Sequence, residues 1–237
     1  MPRLFPVFLK LEHKTVLIVG GGRLARQKLR TLAPAGANVR LVAPEIAAEC
    51  LQWPGSGTFE ALRRPFAAED LESADLVFAA TGDAEFNHRV VELARAAGLL
   101  ANAVDDPGHC DFFTPAVVRR GTLTLAVSSD GRLPGLTRAV RELLEEWLPE
   151  RDDGLMEALV AARAELRASR FDSAARAAAL RGLIARFRDE YLDPRRPAGG
   201  GPSGGAEPPP EHDSAPAVVA ARVLTNQPTI QNGERPR

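Results

Sequence analysis

The stretch Thr15-Val16-Leu17-Ile18-Val19-Gly20-Gly21-Gly22-Arg23-Leu24-Ala25 constrains this chain more than any other. A continuous apolar run ends in three glycines, and helix-compatible residues follow. The run reads as a strand buried on both faces of a parallel sheet. The spacing Gly20, Gly22, Ala25 fits a strand-turn-helix corner of the dinucleotide-binding type, with alanine at the third small position. Gly20 permits the tight turn, Gly22 lets a pyrophosphate approach the backbone, and Ala25 lets helix and strand pack closely. The helix would then aim its unpaired N–H groups and positive dipole end at the phosphates. The other reading is a plain corner that binds nothing.

Downstream periodicity extends the corner into a sheet. Ala25, Leu29 and Leu32 recur at helical spacing, with Pro34 cutting the last turn short and Gly36 as a stop. Strands are expected at 39–43, within 59–66, at 75–80 and at 99–104, with a helix over 86–97 ending at Gly98. This alternation predicts an α/β fold with a Rossmann-type doubly wound parallel sheet. The rhythm then changes. Thr122–Ser128 alternates like a strand outside the βα pattern, and helices are expected at 136–147, 155–168 and 174–191. Residues 194–237 hold nine of the nineteen prolines and no Phe, Trp or Tyr, a composition expected to be disordered. The expected division is an NAD-binding domain over 1–112, a small α+β region over 113–149, a helical part over 150–193 and the tail.

Composition excludes several classes of function. A net charge of −1 argues against bulk attraction to nucleic acid or membrane. No apolar run reaches transmembrane length, and the N-terminus lacks a signal peptide's pattern. Two cysteines, Cys50 and Cys110, form no disulfide framework, so a reducing cytoplasm is expected.

Candidate chemistry lies where strands end. Val42-Ala43-Pro44-Glu45 closes the second strand, so Pro44 and Glu45 could line an adenosine pocket, although the carboxylate comes late for a ribose ligand. No arginine stands there, which favours NAD over NADP. Ala80 and Thr81 end the fourth strand, facing either a ligand crevice or an ordinary turn. The fifth strand delivers Asn102-Ala103-Val104-Asp105-Asp106-Pro107, whose carboxylates suit acid–base work or simply begin a turn. His109-Cys110-Asp111 is a poor metal motif, because adjacent ligands converge on one ion only with strain, and no metal site is expected. His13 and His88 read as isolated surface residues. Arg119, Arg120, Arg132, Arg138 and Arg141 fall in one window without lysine, either as carboxylate binders or as solvated side chains.

Together these pieces resemble the precorrin-2 dehydrogenase/sirohydrochlorin ferrochelatase family. The resemblance rests on Phe5-Pro6-Val7-Phe8-Leu9-Lys10-Leu11, on Val16 to Gly22 with Ala25-Arg26-Gln27-Lys28, and on Val42-Ala43-Pro44-Glu45. It continues through Ala79-Ala80-Thr81 with Asn87, Asn102-Ala103-Val104-Asp105, Thr114-Pro115-Ala116 and Ala126-Val127-Ser128-Ser129-Asp130-Gly131, covering about residues 4–192. It implies NAD-dependent oxidation of precorrin-2 to sirohydrochlorin by a homodimer, in some members with insertion of ferrous iron or cobalt. Gly82 stands where many relatives have aspartate, which leaves metal insertion open. By position, Asp105 is implied as the catalytic aspartate. Gly20, Gly22, Arg23 and Leu24 are implied on the pyrophosphate side of NAD, and Pro44 and Glu45 on the adenosine side. Ser129 is implied to border the active site, while Arg138 and Arg141 gain a reason to exist in a carboxylate-rich tetrapyrrole. Two rivals stay open: a dehydrogenase of another small acid, and an NAD-sensing module without turnover.

Overall fold

A computed structural model describes residues 3–148, 155–168 and 172–191. The apolar run at Thr15–Val19 forms β1, and the helix after the glycines is α1 (Arg23–Leu32), followed by a 3-10 turn over Ala33–Ala35. The remaining strands of the main sheet are β2 (Asn38–Val42), β3 (Phe59–Leu62), β4 (Leu76–Ala79) and β5 (Leu100–Ala103), with α2 (Ala84–Ala96) between the last two. All pair in parallel in the order β3-β2-β1-β4-β5. Strand order therefore reverses beside β1, and the crevice at the carboxyl ends of β1 and β4 is the topological switch point.

Alternate side chains explain the layers. Val16 and Ile18 of β1 face α1 with Val39, Leu41, Leu76 and Phe78, and the helix contributes Ala25, Leu29 and Leu32. Leu17 and Val19 face the other way with Val42, Val77 and Ala101, covered by Val90, Val91 and Ala94 of α2. Each fully buried large aliphatic side chain stabilises this sandwich by about 1.5–3 kcal/mol. The alternation of strand and helix is incomplete around β3. The crossovers flanking β3 carry only 3-10 turns, Ala48–Cys50 and Ala68–Leu71, rather than full α-helices.

The edge of β5 is closed by the chain itself. Asp111 donates its N–H to the Ala101 carbonyl at 2.8 Å, and its carboxylate accepts the Ala101 N–H at 2.9 Å. Arg95 of α2 holds the same carboxylate at 2.8 Å. An edge so covered presents no open row of backbone groups for another strand.

Contacts divide the chain into two units, one of residues 1–114 with 130–132 and another of 115–129 with 133–237. In the second unit β6 (Ala116–Arg120) and β7 (Leu123–Val127) form an antiparallel hairpin. Arg120 donates to the carbonyls of Glu145 and Leu148, which ties β6 to α3 (Pro134–Trp147). Helices α4 (Leu155–Ala168) and α5 (Ser173–Tyr191) follow. The tail beyond Tyr191, and the disorder expected of it, lie outside the described residues. Among the described residues no helix is long and apolar enough to cross a membrane.

Asp70 supplies the clearest pH handle. Its carboxylate, only 3% exposed, receives Arg64 at 2.5 and 2.8 Å and the Ala67 N–H at 2.9 Å. The Arg64 hydrogen bond holds its carboxyl below the usual aspartate range, against an opposing effect of burial. The folded state thus binds fewer protons than the unfolded chain near and below the ordinary value of about 3.9, and this contribution is lost as pH falls through that window. Asp70→Asn should lower the melting temperature at pH 7 by roughly 3–6 °C. It should also flatten the acid side of the stability curve, as read by thermal melts from neutral pH to pH 3.

Candidate functional site

The glycine turn is held from three sides. Gly20 adopts a φ of +124°, and a Cβ there would lie 2.4 Å from the Ala80 carbonyl oxygen. Only glycine tolerates both the conformation and the approach. Gly21 presses on the loop after β2, where a Cβ would meet the Glu45 carbonyl at 2.2 Å, and its own carbonyl accepts the Ala47 N–H at 2.9 Å. From below, the buried Cys50 thiol reaches the carbonyls of Gly21 and Gly22 at 3.4 and 3.5 Å. Burial pushes that thiol's pKa up, so it stays a neutral donor.

Gly22 differs from its neighbours. A Cβ on it would meet nothing within 4 Å, and its φ of −99° suits any residue. The space over Gly22 is open, and Gly22 is also the N-cap of α1. No side chain caps this terminus and no acid stands in its first turn. A helix start with free N–H groups, a positive dipole end and open space above it fits a pyrophosphate. Arg23 and Leu24 form the first residues of that turn.

The neighbouring strand ends are equally ordered. Asn87, 4% exposed on α2, accepts the Thr81 N–H at 3.1 Å and the Thr81 hydroxyl at 2.6 Å. Ala80 serves through its backbone, as the surface against which Gly20 packs. Pro44 and Glu45 are exposed in the loop beside Gly21, and Glu45 meets the glycine turn through its carbonyl.

Asp105 stands beyond the end of β5, exposed and left-handed at φ +67°, in a turn where Asp106 N–H bonds the Ala103 carbonyl at 3.1 Å. Its electrostatic partner is a residue that sequence reasoning missed. Lys28 of α1 is 7% exposed, donates to the Thr114 hydroxyl at 3.0 Å and lies 5.3 Å from the Phe78 ring centroid. Burial lowers its pKa, while the negative charge of Asp105 partly opposes that shift. Helical spacing places Lys28 beside Leu29 and Leu32 on the buried face, which was the available signal.

The run His109-Cys110-Asp111 fans out instead of converging. His109 meets Asp106 at 3.0 Å, Cys110 donates to the Ala103 and Asp106 carbonyls at 3.1 Å, and Asp111 closes the β5 edge. His88 is not isolated, as its sequence position implied: its Nε2 lies 2.5 Å from Asp106 Oδ2. The fold brings α2 and the end of β5 together across a gap of eighteen residues. This His88 hydrogen bond holds the Asp106 carboxyl below the usual range, helped by the Gly108 N–H and His109 and opposed by burial.

The remaining candidates belong to the second unit. Ser129 Oγ accepts the Leu133 N–H at 3.0 Å, a turn contact leading into α3. Arg138 pairs with Glu142 at 2.9 Å, and Arg141 with Glu145 at 2.6 Å and Glu142 at 3.1 Å. This part of the arginine cluster is therefore paired with acids rather than simply solvated. The helical period sets glutamates just outside the window directly against it.

Parallel order, glycine corner and uncapped helix start define a Rossmann-type dinucleotide-binding domain. Residues 7–116 match the family model described as "Putative NAD(P)-binding". The chain is 44% identical over 144 residues to a "Siroheme synthase" of Stutzerimonas stutzeri, and 43% identical over 145 residues to that of Chromobacterium violaceum. Each match covers 61% of this chain and 31% of the relative, so the chain spans about a third of the length of these curated relatives. Among solved structures, "SirC, precorrin-2 dehydrogenase" superposes with a TM-score of 0.67 at 26% identity, covering 80% of this chain and 94% of that one. These similarities bear out the family resemblance read from the motifs.

The two glycines make separable predictions. Gly22→Asp should leave the melting temperature within about 2 °C while weakening NADH binding at least tenfold, because the new carboxylate stands where a pyrophosphate would approach. Gly20→Ala should lower both stability and binding, since its Cβ collides with the Ala80 carbonyl. Melts and NADH fluorescence titrations check the pair.

Proposed function

We propose that this protein catalyses the NAD-dependent dehydrogenation of precorrin-2 to sirohydrochlorin. The observation that carries the reading is the presentation of Asp105. An exposed carboxylate in left-handed backbone leaves the end of β5, and a buried lysine from the helix of the glycine turn lies within its field. Relatives named siroheme synthase, and the superposition on a precorrin-2 dehydrogenase, support the choice of substrate.

Bound NAD supplies a hydride acceptor, and the chain's own groups do the rest. The N–H groups at the start of α1 take the pyrophosphate, and open space above Gly22 admits it. The loop at Pro44 and Glu45 borders the adenosine side, and Asn87 keeps Thr81 fixed at the crevice. Asp105 accepts the proton released as the tetrapyrrole loses hydride. Lys28, on the helix that starts at the glycine turn, lies within the field of that carboxylate and places a positive charge at the crevice. Arg138 and Arg141 take substrate carboxylates by exchanging them for Glu142 and Glu145. Exposed i,i+4 pairs hold by only about 0.3–0.5 kcal/mol, so a multivalent anion can displace them. Ser129 keeps the turn before α3 in shape.

The protein works as a homodimer in this reading. Leu136, Leu143 and Trp147 fall at i, i+7 and i+11 on α3, all exposed, and no residue of that helix is fully buried. Free Cys50 and Cys110 support a reducing, cytoplasmic setting.

Incubation of the purified protein with precorrin-2 and NAD, following NADH and the tetrapyrrole spectrum, tests the activity. Asp105→Ala should reduce turnover by about 10²–10⁴-fold while NADH binding stays within twofold. Full activity in that variant would overturn the role of Asp105. An NAD-sensing module without turnover would instead bind NADH normally and oxidise nothing. Leu136→Glu combined with Leu143→Glu should shift the mass seen by light scattering from dimer to monomer.

A further inference from the structure

We propose that His88, Asp106 and His109 form a binding site for one divalent transition-metal ion of the zinc, cobalt or nickel class. One donor atom from each residue lies within 4.8 Å of the other two. His88 Nε2 stands 2.5 Å and His109 Nδ1 3.0 Å from the same oxygen, Asp106 Oδ2. Two imidazole nitrogens and one carboxylate oxygen are the borderline donor set such ions select, and a poor set for calcium or magnesium, which prefer oxygen.

The ligands come from elements that hold them in place. His88 sits within α2, while Asp106 precedes and His109 ends a 3-10 turn over Pro107–His109. Asp106 caps that turn: its Oδ1 accepts the Gly108 N–H at 3.0 Å, which orients Oδ2 toward both rings. Such an outer hydrogen bond is what fixes a ligating carboxylate. The imidazoles stack with centroids 3.6 Å apart and planes 15° from parallel, so one ring has to swing for both in-plane lone pairs to meet at one ion.

The two ring nitrogens meet the shared carboxylate oxygen directly, at 2.5 and 3.0 Å. Metal bonds of about 2.0–2.1 Å in tetrahedral geometry set ligand atoms roughly 3.3 Å apart. The ligand atoms must therefore separate by less than about 1 Å while one imidazole turns off the other, and the side chains, 32–38% exposed, have room for both movements. The same exposure leaves an entry path and a coordination position for water. Cys110 is close in sequence, but its sulfur is turned to the carbonyls of Ala103 and Asp106. The ligand set is therefore nitrogen and oxygen only. A bound ion would pin α2 to the loop that begins at Asp105.

The site stands independently of the dehydrogenation reading, and its test needs no substrate. Chelator-treated full-length protein is titrated with zinc by calorimetry and with cobalt(II) by visible absorption. One equivalent should bind with a Kd of about micromolar or tighter. His88→Gln, Asp106→Asn and His109→Gln should each weaken binding at least tenfold, while His13→Gln leaves it unchanged. Melts without metal show whether each variant folds. X-ray absorption on the zinc-loaded wild type gives a reading that needs no variant, and it should show nitrogen and oxygen ligands without sulfur. Absence of binding, binding indifferent to His88 and His109, or a zinc–sulfur distance near 2.3 Å would each overturn the assignment.

Discussion

Everything at the ligand face depends on how closely β1 can approach β4 as it ends. The contact is backbone on backbone. Gly20 lies against the Ala80 carbonyl with no room for a methyl group, while the Ala80 N–H bonds Val19 and the Gly20 N–H bonds Val42. Three parallel strands are thereby locked to one turn. That lock aims α1 across the switch point and brings Lys28 under Phe78 and toward Asp105. A larger residue at position 20 would not merely lose a cofactor contact; it would push the helix, its lysine and the strand ends apart.

Much of this fold was legible because local and global signals agree. β1 is a short, fully apolar run bounded by glycines, and its limits match the sequence reading residue for residue. Elsewhere the edges shifted. α2 begins at Ala84, two residues before the first apolar contact, because Asp83 caps it through the Phe86 N–H. A capping acid carries that signal better than hydrophobic spacing does. β6 was missed as a strand, although Gly121, at φ +51°, marks the tight turn that pairs it with β7.

The site was legible in part, for a physical reason. Residues acting through the backbone at strand ends, such as Gly20, Ala80 and Glu45, follow from topology and could be placed by motif. Residues acting through partners distant in sequence could not. Lys28 resembles any amphipathic-helix lysine until the hydroxyl of Thr114, 86 positions away, accepts its hydrogen bond. His88 looks solitary until the fold delivers Asp106, and Arg138 looks free until the helical turn sets Glu142 against it. In each case the missing information was a long-range or i,i+4 pairing that composition does not record.

The thiol beneath the glycine turn has one further consequence. Cys50 is fully buried, and its sulfur rests on two carbonyls of the loop that would carry the pyrophosphate. An alkylating reagent can reach it only when the corner breathes open, so the rate of its modification is a built-in clock for that motion. Occupancy of the loop and reactivity of the sulfur are then opposite readings of one equilibrium.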